Sequence, residues 1–463
     1  VSAPTSAQAA QAAQGAEAAQ GAQGLQPTKL LPRLGLLGVV FFGLAYMAPG
    51  IVTSTFGVVS GASHGAAPTA YLIATAAMLI TAIAYAVLAR AYPNAGSAYT
   101  YVGKTLGRVA GFFAGWVILL DYLFLPMVAW LIQSTYLHAQ FPGIPLWVWL
   151  VVNVGATTAI NLLGIALADR VNIVLTVAAM ASVAALVVVL LLFLGREGGA
   201  PVSSALWNEE TSVVAVSSAA AIAAYSFLGF DAISTLSEET KEPKRDIPRG
   251  IVLAVLIGGC IFVGVSLLMQ LVHPGGAFDD PDTAGYTISI FAGGAAFTNI
   301  NNLVSVIAGF GSGLAIQATS SRLLFVMGRD GVLPRAVFGR LSNAFRVPWL
   351  NILLIGAIGM LGMLLDIGTA TAYINFGAFL AFALVNVAFL VWIWRRAERL
   401  RSVAVQALLS LIPIAGFAVD LYLFSQLHPE AYAVGGVWLA LGVVMLAVAT
   451  GGFRRPVPVL SER

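Results

Sequence analysis

Charge is scarce in this sequence. Asp, Glu, Lys and Arg make up 9% of the 463 residues, and hydrophobic residues make up 59%. A soluble domain carries roughly 25% charged residues, so a water-facing chain with so few charges would not stay dispersed. Repeated apolar runs of ~20 residues point to lipid as the solvent and override the two soluble domains that length alone suggests. Cysteine is nearly absent. Cys260 stands alone inside an apolar run, which excludes an intrachain disulfide and gives no support to a thiolate metal site. The four histidines are scattered, and no His or Cys cluster has metal-ligand spacing. No metal site or cofactor is implied. A phosphate loop is missing from the accessible loops, as is a repeated selectivity-filter loop, so neither an enzyme nor a channel finds support.

Residues 1–28 are rich in Ala, Gln and Gly, with Glu17 as the only charged side chain before Lys29. They lack the basic and apolar regions of a signal peptide, and residues 1–33 read as a disordered cytoplasmic tail. Apolar segments follow at about 34–60, 68–91, 107–137, 146–166, 171–195, 211–239, 248–273, 298–327, 347–366, 370–394, 403–427 and 431–452. Each can cross a hydrocarbon core ~30 Å thick as a helix. The expected class is therefore an all-α membrane protein of about 12 transmembrane helices. With the N-terminus placed inside, every one of the 23 Lys and Arg residues except Arg196 falls on the inner side. The outer loops hold Glu197, Glu209, Glu210, Asp279, Asp280, Asp282 and Glu430. This one-sidedness predicts an inner-membrane protein with both termini cytoplasmic, and the net charge of +3 reflects topology rather than nucleic-acid binding.

Two segments are interrupted. The first contains Met47-Ala48-Pro49-Gly50 and the sixth contains Ser226-Phe227-Leu228-Gly229-Phe230-Asp231. Pro49 removes a backbone donor and clashes with the preceding turn, and Gly229 costs about 1 kcal/mol of helix propensity. The breaks lie five segments apart, so the two helices run in opposite directions. Interrupted helices at matching positions point to a substrate site near the membrane midplane.

Three loop signatures add specificity. They are Tyr92-Pro93-Asn94-Ala95-Gly96-Ser97-Ala98-Tyr99, the stretch from Phe227 through Ser237-Glu238-Glu239-Thr240-Lys241-Glu242-Pro243, and Ser321-Arg322-Leu323-Leu324 through Gly328-Arg329-Asp330-Gly331. Together they resemble the amino acid–polyamine–organocation superfamily over most of residues 34–450. The resemblance implies a leucine-transporter-type fold. Residues 34–195 and 211–394 would form two five-helix inverted repeats, 403–452 two appended helices, and 453–463 a cytoplasmic tail. Within the superfamily the sequence is most similar to putrescine importers, through Ala45-Tyr46-Met47-Ala48-Pro49, Thr69-Ala70-Tyr71-Leu72, and Gly115-Trp116 through Asp121-Tyr122-Leu123-Phe124-Leu125-Pro126.

The expected substrate is a small cationic amine such as putrescine, with an amino acid as the alternative. Amino acid members of the superfamily hold the carboxylate on free N–H groups of a Gly-Ser-Gly-like break. Here that run is Ala48-Pro49-Gly50, and proline offers no N–H. A diamine needs two anionic or carbonyl-rich ends. Asp121, 13 residues past Arg108 and so roughly 20 Å into the membrane, and Asp231 beside the second break are the candidates, because charge at such depth is costly and usually functional. Carbonyls around Ser226 and Gly229 complete the expected shell, with Tyr122, Tyr225, Phe227, Phe230 and Trp116 as aromatic walls. The competing role for Asp231 is a helix N-cap. Glu238 and Glu239, with Arg322, are candidates for an inner gate. Asn301, Gln317, Tyr373 and Asn375 read as helix–helix hydrogen bonding, and Asp420 as packing. Many relatives carry a lysine in segment 5, whose place here is taken by Ala179. Uptake driven by membrane potential is therefore expected, with proton exchange at Asp121 or Asp231 as a further contribution. The sequence leaves the oligomeric state open.

Overall fold

A computed structural model describes residues 34–93, 97–164, 169–329, 331–395, 403–452 and 454–457. The expected tail at 1–33 lies outside these, as do 453 and 458–463 of the expected tail at 453–463, and Asn94, Ala95, Gly96 and Asp330 of the loop signatures. The described chain is nearly all helical. Its helices are α1 (Leu36–Met47), α2 (Ile51–Ala62), α3 (Ala67–Ala91), α4 (Ala98–Leu106), α5 (Arg108–Gln140), α6 (Leu146–Leu162), α7 (Asp169–Glu197), α8 (Val213–Ala223), α9 (Pro243–Val272), α10 (Ala284–Arg329), α11 (Trp349–Gly359), α12 (Ile367–Arg395), α13 (Val403–Ser425) and α14 (Pro429–Ala449). Helices satisfy their own backbone groups, which lipid cannot do for them.

Among the described residues nine helices are long and apolar enough to cross a membrane, and the bent pair α1–α2 makes up to ten. α6 and the stretch Trp349–Leu364 are shorter apolar helices at the places of the fourth and ninth expected segments. Two boundaries differ from the sequence expectation. α10 starts at Ala284 and runs through a non-helical Gly294 (φ 76°), so residues expected in a loop are helical. The loop before the third segment carries its own helix, α4, ended by Gly107 at φ 105°.

The two breaks have different backbone causes. α1 stops where Ala48 adopts a left-handed conformation (φ 46°), Pro49 follows, and α2 leaves at 51° to α1. In segment 6, Ser212 caps α8 by accepting from the Ala215 N–H at 3.1 Å. A 3-10 turn over Ala224–Phe227 follows, Leu228 is extended, and Gly229 sits at φ 110°. A second 3-10 stretch, Asp231–Glu238, carries the chain onward. The start of the first broken segment and the end of the second meet in a parallel bridge. Leu34 N–H donates to Glu239 O and Lys241 N–H to Leu34 O, both at 2.9 Å. This holds residues 34 and 240 side by side, as two antiparallel broken segments require.

Packing contacts recur in pairs when each segment is exchanged for the one five places on. α3 packs on α9, α5 on α12 as α7 does on α10, and α5 on α6 as α10 does on α11. α13 and α14 pack outside this set, chiefly on α12.

Candidate functional site

A cavity of about 200 Å³ opens beside the first break, between α1, α2, α5, α7 and α10. Ala48, Pro49 and Gly50 line it, together with Tyr46, Ser54, Gln133, Asn302 and Tyr225. Asn301 and Ala179 also face it, so a methyl group stands where the resemblance implies a lysine. Two carbonyl oxygens on the cavity lining, Gln133 Oε1 and Asn302 Oδ1, are buried without a hydrogen-bond partner among the described residues. Both can only accept, which suits a ligand made of N–H donors. The Asn302 amide nitrogen is already used, donating to Tyr136 O at 3.0 Å and Gln140 Oε1 at 2.8 Å.

The carboxylates form a second centre. Asp121 and Asp231 are partly buried, and Asp121 lies within electrostatic reach of Asp231. Tyr46 and Tyr122 lie beside both. Asp121 Oδ1 is buried and unpartnered, and among the described residues no Lys or Arg pairs with either carboxylate. The N-cap position expected as the alternative for Asp231 is held by Phe230, whose side chain makes no capping bond. Asp231 occupies the first turn, with its carboxylate against the backbone N–H groups of Gly229, Asp231 and Ala232. An anion at a helix start is stabilised by the N–H groups of the first turn.

Tyr46 joins the two centres. It lines the cavity and lies beside Asp121, Asp231 and Tyr122. It is held by Gly229, since a Cβ there would overlap the Tyr46 ring. Sequence reasoning quoted Tyr46 only within a motif. Its adjacency to Asp121 crosses two helices and leaves no local pattern.

Several expected site residues lie outside this cavity. Asp121, Tyr122, Ser226, Phe227, Gly229, Phe230 and Asp231 do not line the cavity. Phe227 packs edge-on against Phe262, with ring centroids 5.0 Å apart. Phe230 packs against Tyr85 and Phe382, and Ser226 is buried beside Tyr71. Trp116 stacks on Trp438 at 4.7 Å. The two indoles exchange Nε1–H donors with each other's backbone carbonyls at 2.8 Å, which fastens α5 to α14. Gln317 bonds to Thr158 on a neighbouring helix, and the Asn375 amide nitrogen donates to Ala221 O. Of the gate candidates, the Glu238 side chain lies outside the described residues. Arg322 is exposed, and no ion pair joins it to Glu239 among the described residues. The backbone clasp at Leu34 and the Arg245–Glu242 pair at 3.0 Å occupy that end instead.

Comparison with known proteins agrees with this architecture. A family model described as amino acid permease matches residues 38–425. The chain is 40% identical over 434 residues to the low-affinity putrescine importer PlaP of Escherichia coli K12, covering 93% of this chain and 96% of the relative. It is 26% identical over 366 residues to the methylthioribose transporter of Bacillus subtilis, and 26% identical over 367 residues to the branched-chain amino acid permease BcaP of the same organism. Each alignment covers 75% of this chain and 77% of the relative. With the family model spanning both broken helices and the relationship to PlaP running nearly end to end, the chain belongs to the amino acid permease family of the amino acid–polyamine–organocation superfamily.

Proposed function

We propose that this protein is a secondary transporter importing small organic amines, with putrescine or a related diamine as substrate. The observation that carries the reading is the pair Asp121 and Asp231, deep in the bundle beside Tyr46 and Tyr122 and without a cationic partner among the described residues. Charge at this depth is costly unless it is paired or serves function, and an ammonium supplies the missing charge. The unpartnered carbonyls of Gln133 and Asn302 add acceptors to the neighbouring cavity, and Tyr46 offers a ring face near the carboxylate pair. The end-to-end similarity to a putrescine importer supports the same reading.

The two halves, residues 34–195 and 211–394, act as inverted repeats, and alternating access rocks them about the two breaks. The distribution of Lys and Arg supports both termini on the cytoplasmic side. The absence of lysine from α7 favours drive by the membrane potential, worth about 2.3 kcal/mol per charge per 100 mV. A dication gains twice that. The permease relatives keep an amino acid substrate as the second reading. Against it stands Pro49, which removes one N–H from the break that would hold a carboxylate.

Radiolabelled putrescine uptake into proteoliposomes with an inside-negative potential tests the reading, competed by unlabelled diamines and by the common amino acids. Saturable uptake blocked by diamines alone is expected. Uptake of an amino acid with none of putrescine moves the substrate to the second reading.

A further inference from the structure

A third intramembrane carboxylate, Asp420 on α13, lies outside both repeats and outside the site described above. It is 0% exposed, as are its neighbours Thr81 on α3 and Asn386 on α12. Thr81 Oγ1 lies 3.3 Å from both Asp420 oxygens. The Asn386 amide donates to Asp420 Oδ2 at 2.9 Å and lies 3.1 Å from Thr81 Oγ1. Gly416, one turn before Asp420, leaves the space that the Asn386 carboxamide occupies.

Among the described residues nothing in this shell carries positive charge, and Arg90 on α3 stands nine positions past Thr81. α13 packs on α12, α3 and α8. α8 holds no titratable residue. On α12, Tyr373 is bonded to Glu430 and Arg395 stands at the far end. On α13 itself, Tyr422 donates to Ser217 at 3.1 Å. The titratable group facing Asp420 is Tyr85 on α3, one turn from Thr81, and it lies within electrostatic reach of Asp231 as well. An ionised carboxylate with only neutral donors around it is an expensive group to bury. The hydrogen-bond count also leaves room for a proton. Thr81 Oγ1 has two acceptor sites; the Asn386 amide donates to one, so the other is open to a carboxylic O–H from Asp420 at 3.3 Å. Asn386 Oδ1, buried without a partner, is a second free acceptor in the same cluster.

Two packed routes run from this cluster to the break in segment 6. On α3, Tyr85 follows Thr81 by one turn and meets Phe230 edge-on, with ring centroids 5.5 Å apart at 82°. On α12, Phe382 precedes Asn386 by one turn and meets the same Phe230 at 5.3 Å. Tyr85 and Phe382 also touch each other at 5.9 Å. Phe230 is the residue before Asp231, so a shift of α13 against α3 or α12 is transmitted by rigid rings to the backbone that positions the amine site.

We propose that Asp420, with Thr81 and Asn386, is a proton-binding site coupled to amine occupancy at Asp231 through Tyr85, Phe382 and Phe230. A cation arriving at Asp231 favours ionised carboxylates around it, so amine and proton compete and binding of one releases the other. Coupling of this kind is reciprocal. The assignment rests on the amine reading only for the choice of ligand.

Infrared difference spectroscopy tests it on the purified full-length protein. The ligand-free wild type should show the carbonyl stretch of a protonated carboxylic acid that disappears as pH rises and is absent from Asp420→Asn. Asp420→Glu, which keeps the acid and moves its band, makes the same assignment if Asp420→Asn does not fold. Putrescine should diminish the band at constant pH. In a weakly buffered solution, Asp420→Asn should release about one proton fewer per amine bound. The slope of amine affinity against pH should fall accordingly, by up to about tenfold per pH unit, as single-proton linkage requires. The same carboxyl spectrum in wild type and Asp420→Asn would overturn the proposal, as would a band indifferent to pH. Sodium-dependent binding lost in Asp420→Asn, without such a band, would also overturn it and give the pocket to a metal cation. If putrescine does not bind at all, the amine reading fails on its own, while the ligand-free titration still decides whether Asp420 exchanges a proton.

Discussion

Gly229→Ala is the most informative single change at the site, because the structure gives it two separable costs. At φ 110° an alanine is held in a sparsely populated backbone region, which costs about 1–3 kcal/mol. The new Cβ also overlaps the Tyr46 ring, and forcing a packed side chain aside costs ~1–3 kcal/mol. The total is about 2–6 kcal/mol, and it acts where α1 meets the second break. If even about 2 kcal/mol falls on the amine-bound state alone, apparent affinity weakens about 30-fold. The assays are thermal melting of the purified protein and putrescine uptake kinetics in proteoliposomes. Adding Tyr46→Ala should relieve the overlap and leave the backbone strain. The double variant should then melt higher than the sum of the single effects predicts, with a coupling of about 1–3 kcal/mol. Wild-type melting and KM in Gly229→Ala, or strict additivity of the two changes, would refute the geometry on which Tyr46 joins the two centres.

Other outcomes follow from the same structure. Asp121→Asn and Asp231→Asn should each raise the putrescine KM about 10–100-fold, since a charge-assisted hydrogen bond is worth about 1.5–3 kcal/mol; wild-type kinetics in both would move the site elsewhere. Clamping the potential at zero with valinomycin and potassium should abolish putrescine accumulation above equilibrium, whereas full accumulation driven by a pH gradient alone would assign the drive to protons. Trp116→Phe should lower stability by about 0.5–1.5 kcal/mol by removing the indole N–H bond to the Trp438 carbonyl while leaving KM unchanged. A changed KM in that variant would return Trp116 to the site.

Much of this was legible along the chain. The scarcity of charge and the ~20-residue apolar runs identified the solvent, and Ala48-Pro49-Gly50 and Gly229 located the breaks within a residue or two. Proline and glycine act on the backbone locally, so their effect can be read without knowing what packs nearby. The site was read less completely. Phe227, Phe230 and Trp116 are aromatic residues at the right depth, but depth does not say which way a ring points. Their partners Phe262, Phe382 and Trp438 are distant in sequence. Tyr46 was missed for the converse reason: nothing in its own segment marks it, and its role comes from Asp121, Tyr122 and Asp231.

Asp420 shows the division most clearly. Composition marked it as a carboxylate in an apolar helix, and its place in an appended segment made packing the natural assignment. Only the folded chain brings Thr81 from α3 and Asn386 from α12 onto it, and only there does the lack of any positive partner become visible. The sequence by itself determined the solvent, the helical class, the positions of the breaks and the family, because lipid exposure, backbone geometry and ordered motifs are written along the chain. The tertiary structure alone decided which polar groups share a site, because hydrogen bonds and charges act over a few ångströms between residues that lie hundreds of positions apart.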